Sequence, residues 1–235
     1  MSLDRVSARR HATLPALLLL SAFGLFACGD STMTGGGGSI RITTSGEILA
    51  LRSFAYPPAQ PDDPVFVDGW EVRLDTLLVT LDKFTVSENP DKSPTDQSQT
   101  DAEVAMQSGP WAVDLHKGGP LLGKGGGGEQ ALPLGTISGQ NLRGDKAFDP
   151  TQRYALGFDI VPASAAASRL NFDSKNDADY QEMIQKGWTV LYAGVATFRG
   201  SGCTSTNPAY DFSKLPTQVR FRFGFQTPTS YRNCQ

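Results

Sequence analysis

His116 is the only histidine outside the N-terminal leader; the other is His11. With Asp114 it is the first place to look for chemistry. Trp111-Ala112-Val113-Asp114-Leu115-His116 reads as a short strand, and residues two apart on a strand share a face. Asp114 and His116 are therefore candidate ligands for a metal such as copper or zinc. Such a site wants three or four ligands, so a solvated strand end before the Gly118-Gly119-Pro120 turn is the simpler reading. A Ser-His-Asp triad could run only through His116, and the chain has no Gly-x-Ser-x-Gly elbow. Asp62, Asp63 and Asp68 could take a hard cation, but their spacing matches no calcium loop. Asp173, Asp177 and Asp179, near Asn171 and Asn176, are better explained as carboxylates favouring a helix N-terminus. Lys124 with Gly125 to Gly128 lacks the Gly-Lys-Ser/Thr ending of a phosphate loop and reads as a flexible linker. No catalytic residue and no cofactor is assigned, and a non-enzymatic role is expected.

The cysteines say more. Arg5, Arg9, Arg10 and His11 precede an uncharged apolar run from Ala12 to Ala27, the order of a secretory signal. The run is shorter than the ~20 residues of a bilayer-spanning helix. It ends in Leu25-Phe26-Ala27-Cys28, which resembles the lipobox of bacterial lipoprotein precursors. That resemblance implies acylation of Cys28 and removal of residues 1–27. Acyl chains give stable anchoring when two or more are present. Residues 28–38, polar and rich in glycine, read as a tether that cannot bury a core. Residues 39–235 read as one domain. Cys203 and Cys234 remain, an even pair in an oxidising compartment, and a disulfide is expected.

The leader holds 3 of the 21 basic residues and 1 of the 24 acidic ones, so the remainder carries a net charge of −5. That argues against a nucleic-acid partner, which wants a basic stripe. Alternating segments run through the chain: Ser39 to Thr44, Glu71 to Leu74, Leu77 to Val86, Trp111 to His116, Ala131 to Ile137, Tyr154 to Val161, Trp188 to Phe198 and Pro216 to Phe225. Glu47 to Phe54 reads as a partner strand for the first, with Gly46 in the turn. Near Lys83 the alternation changes phase, which predicts a bulge or a second packed face. Pro133 points to an edge strand. One helix is expected, capped by Asn176 or Asp177, with Tyr180, Met183 and Ile184 as its buried stripe and Gly187 as a left-handed stop. The fold class is mainly β: a β-sandwich-like antiparallel domain with long loops and one short helix. Trp70, Leu77, Val79, Leu81, Phe158, Ile160, Leu191, Phe221, Phe223 and Phe225 are expected to be buried together. Val219, Phe221, Phe223 and Phe225, all on one strand face, read as the firmest part of that core.

Several segments taken together carry a family resemblance: Phe66 to Val72 running into Leu78-Val79-Thr80-Leu81, then Ile160 to Ala163, Met183 to Trp188, and Arg222 to Thr229 with Cys234. They resemble uncharacterised lipoproteins of myxobacteria and related predatory bacteria. The resemblance implies a lipid-anchored protein of the cell envelope, in the periplasm or at the cell surface, and assigns no activity. Relatives run further past the last cysteine, so the sheet is expected to lack an edge strand. The expected partners are the membrane, through the anchor, and an envelope protein or glycan. A periplasmic metal-binding or metal-handling role through His116 and Asp114 is the alternative.

Overall fold

The computed structural model describes residues 39–61, 63, 65, 66, 68–88, 93, 95, 96, 99–122, 130–138, 152–201, 206–209, 211 and 216–234. Residues 1–38, which include Cys28 and the expected leader and tether, and Cys203 lie outside them. The described chain is mainly β, with eleven strands and two helices.

One strand organises the molecule. β2 (Trp70–Ser87) is 18 residues long, in the segment where β-branched and leucine residues alternate with polar ones. Along one edge it pairs first with β9 (Val190–Phe198) and then with β7 (Ala155–Ile160). Along the other edge it pairs with β4 (Trp111–Asp114) and then β3 (Glu103–Gln107). β10 (Gln218–Phe225) lies outside β9, and β11 (Thr229–Cys234) lies outside β7. The short β8 (Ser168–Arg169) runs parallel beside β4. A second, three-stranded sheet orders as β1 (Ile40–Thr44), β6 (Gln130–Ile137) and β5 (Leu121–Leu122).

The bulge expected near Lys83 is present. Lys83 has φ 49°, and the register against β7 shifts between Asp82 and Thr85. The shift returns Phe84 and Val86 to the face of Val79 and Leu81, because one extra residue reverses the alternation. These four pack with Ile42, Leu134 and Ile137 of the smaller sheet, forming the core between the sheets. On the opposite face, Leu78, Ala112 and Leu191 pack against Tyr180 and Met183 of α2 (Ser174–Lys186).

The helix was legible, but its cap lies further upstream. Asp173 is the N-cap, accepting from the Asn176 N–H, while the Asn176 side chain accepts from the Asp173 N–H. This reciprocal box satisfies two of the helix's free donors. Gly187 closes the helix with φ 65°. Lys117 Nζ reaches Asp173 Oδ2 at 2.6 Å and holds the Asp173 carboxyl down to about 2. Hydrogen bonds from Lys186 and Arg222 hold Glu182 below its usual range. A carboxyl held low in the folded state adds stability above its unfolded value, ~3.9 for aspartate, and loses it as pH falls toward the folded value. The melting temperature is therefore expected to fall as pH drops from about 4 to about 2. Thermal melts across this range check it: Asp173→Asn should flatten the slope, and an unchanged slope would remove the cap from the account.

Three expectations are corrected. Glu47 to Arg52 is a helix, α1, and not a strand; only Phe54 bridges to Val72. Glu, Leu, Ala and Arg are good helix formers, and the turn buries Ala50. β6 is central in its sheet, and not an edge: Pro133 lies opposite Thr43 of β1, beside the bulge that leaves Leu134 of β6 as the extra residue, and β5 pairs only with Gln130 and Ala131, so no registered partner faces the other edge of Pro133. Phe221 is half-buried, while Val219, Phe223 and Phe225 are exposed at 41%, 58% and 51%. Leu191 is buried, but on the α2 side of the sheet. The expected common core therefore separates into two cores and one uncovered face.

Candidate functional site

Asp114 and His116 do not share a face. β4 ends at Asp114 and the chain turns immediately, so the strand period no longer relates the two residues. Asp114 is fully buried. Its Oδ1 accepts from the Leu77 N–H at 2.9 Å and the His116 N–H at 3.1 Å, and its Oδ2 accepts from Asn176 Nδ2 at 2.9 Å. Asn171 bonds to both backbone groups of Asp114. His116 donates from Nδ1 to the Ala50 carbonyl at 2.6 Å. Asp114 is thus a pin between β2, the turn after β4 and α2, and His116 ties α1 to that turn. No group of three His, Cys, Asp or Glu side chains placed to hold a metal occurs among the described residues.

Three more of the singled-out acids are also engaged. Asp63 accepts from the Gln60 N–H, Asp177 pairs with Arg169, and Asp179 pairs with Arg222. Asp62 and the Lys124 to Gly128 tract lie outside the described residues, as does the proposed disulfide: of Cys234 only the backbone is described, opposite Leu156.

The surface with unspent chemistry is the one the sequence assigned to the core. Opposite Val219, Phe221, Phe223 and Phe225 of β10 stand Ala196, Gly194, Tyr192 and Val190 of β9. Beyond these lie Val72 and Leu74 of β2. All belong to the face that, further along β2, is covered by the three-stranded sheet. Here no layer covers it among the described residues. The result is an open depression of about 590 Å³, walled by Phe54 and floored by Val72, Leu74 and the β10 aromatics. Gly194 shapes the floor: a Cβ there would meet Phe221 Cζ at 2.8 Å and the Arg73 carbonyl at 2.1 Å. Its absence lets the Phe221 ring lie over β9. Phe221 stacks on Phe223, and Tyr192 meets Phe225 edge to face. At the Phe225 end, a second hollow of about 280 Å³ continues past Thr227 and Thr229 to Tyr231.

The underside of β10 is different in kind. Arg222 binds Asp179 and Glu182 of α2, which draws its charge onto the protein's own helix. One side of the strand is thus ionic and satisfied, and the other apolar and open. A contiguous exposed apolar patch of this kind is a candidate interaction surface. The sequence did hold the signal, four apolar residues at period two, but that period does not say whether a layer lies above them. Comparison with protein family models, curated proteins and solved structures finds no match for this chain.

Proposed function

We propose that this is a non-enzymatic, lipid-anchored protein of the bacterial cell envelope that engages protein through the uncovered aromatic face of its larger sheet. The observation that carries the reading is the face itself: exposed Phe223 and Phe225, with Val219, beside Phe54, Val72 and Leu74. An apolar protein segment suits this lining better than a glycan. A sugar's hydroxyls would lose water against phenyl and alkyl groups and find almost no partner there. Acylation at Cys28 would concentrate the domain at a membrane, where its partners are also confined.

Two measurements test the proposal. Cys28→Ala should release the protein from the membrane fraction, and unchanged partition with no lipid mass on the N-terminal peptide would refute the anchor. Wild-type protein extracted in mild detergent should run as a complex larger than the monomer. Phe223→Ser/Phe225→Ser should lose that complex while its melting temperature stays within a few degrees. A wild-type monomer in the extract, or a double variant melting more than ~10 °C lower, would show that the face is not a docking surface.

A further inference from the structure

We propose that the protein self-associates by antiparallel pairing of β10 with β10 of a second copy, joining two sheets and two aromatic faces into one. The inference rests on the reading of that face as an interaction surface and names one partner for the strand that borders it.

β10 is the terminal strand of its sheet, and no strand pairs with its outer edge among the described residues. Its eight residues run against β9 without a register shift. The Phe198 N–H donates to the Thr217 carbonyl at 2.8 Å, and at the far end the Thr189 N–H donates to the Phe225 carbonyl at 2.6 Å. These two bonds fix the phase, since bonding direction alternates along an antiparallel strand. Odd-numbered residues of β10 bond inward to β9. Gln218, Arg220, Arg222 and Gly224 direct their N–H and C=O groups to the free edge.

An edge like this is normally blunted by lysine, proline or a bulge. β10 contains none of the three. Its two arginines stand on the α2 side of the strand, and Arg222 is held there by Asp179 and Glu182. The sequence is also self-complementary about Arg222. With the twofold axis at that residue, Arg222 meets its own copy and Arg220 meets Gly224, both as hydrogen-bonded pairs made of outward-facing residues. Phe221 then meets Phe223, and Val219 meets Phe225, so apolar residues oppose apolar ones throughout. The two Arg222 guanidinia at the axis are surrounded by four carboxylates, two from each helix, so they do not meet as bare like charges. Phe221 and Phe223 fall at the non-hydrogen-bonded positions, where Cα atoms approach to ~4.5 Å and aromatic cross-strand pairs gain most.

The test is the mass of the purified full-length protein by sedimentation across ~1–100 µM, a range that brackets typical transient self-association. Arg220→Pro removes one outward N–H and no bond to β9, so it should keep the melting temperature and shift the protein to monomer by at least tenfold in dissociation constant. Phe223→Ser should do the same by removing an apolar pair. A monomer throughout the range for wild type would overturn self-pairing; if the detergent extract still holds a larger complex, the face engages a different protein and the reading above stands. A dimer lost in Phe223→Ser but untouched by Arg220→Pro would equally overturn it, because copies would then meet through the face and not the edge.

Discussion

Asp114→Asn is expected to destabilise the fold by ~2–5 kcal/mol, a large share of the 5–15 kcal/mol typical of a domain. The substitution changes almost nothing in volume, so packing does not explain the loss. The carboxyl accepts on both oxygens: Leu77 N–H and His116 N–H on one, Asn176 Nδ2 on the other. An amide has one accepting oxygen and one donating nitrogen. Whichever way it turns, a donor faces a donor in a fully buried site, and each unsatisfied buried group costs ~1–3 kcal/mol. The reciprocal change supplies the stronger test. In Asp114→Asn/Asn176→Asp the new amide can accept from Leu77 and His116 and donate to the new carboxyl. That carboxyl can still accept from the Asp173 N–H and from Lys117, the groups Asn176 serves now. Urea unfolding should show the double variant recovering more than half of the loss of Asp114→Asn. Additive losses from the two single changes would mean that these hydrogen bonds are not what Asp114 contributes.

The second large effect is a contrast between two apolar residues that the sequence ranks the other way, placing Phe223 in the core and leaving Leu78 out of it. Leu78→Ala should cost ~2–5 kcal/mol, and Phe223→Ala less than ~1 kcal/mol. Leu78 is fully buried between β4, β9 and α2, so truncation removes contacts and leaves a cavity that Tyr180 and Met183 cannot collapse into without moving the helix. Phe223 is 58% exposed, and its ring stacks on Phe221. On hydrophobicity alone the larger side chain would be ranked the costlier loss. Chemical denaturation of both variants decides: a Phe223→Ala loss as large as that of Leu78→Ala would mean a layer covers β10 after all, and the docking surface would be withdrawn.

The local elements were largely legible in the sequence, and the assembly of faces was not. Alternation identified β2, β7, β9 and β10, and the change of phase at Lys83 identified the bulge, because both are properties of neighbouring residues. The stripe of Tyr180 and Met183 and the left-handed Gly187 identified α2 for the same reason. α1 was missed because one helical turn of apolar residues also satisfies a strand pattern, and β11 because Thr229 to Cys234 offers few apolar residues to alternate. The candidate site shows the limit most clearly. Period two established that Val219, Phe221, Phe223 and Phe225 share a face, and nothing local could say what lies against it. That depends on where β1 and β6, paired with each other from distant parts of the chain, come to rest on β2. They cover the Val79 to Val86 half and stop short of Val72 and Leu74. Likewise, Asp114 and His116 looked like two ligands on one strand until the chain turned after Asp114 and α2 brought Asn176 to its carboxyl. Residue type and spacing determined which side chains travel together. The long-range pairing of strands decided which of them are buried, which are pinned, and which are left facing outward.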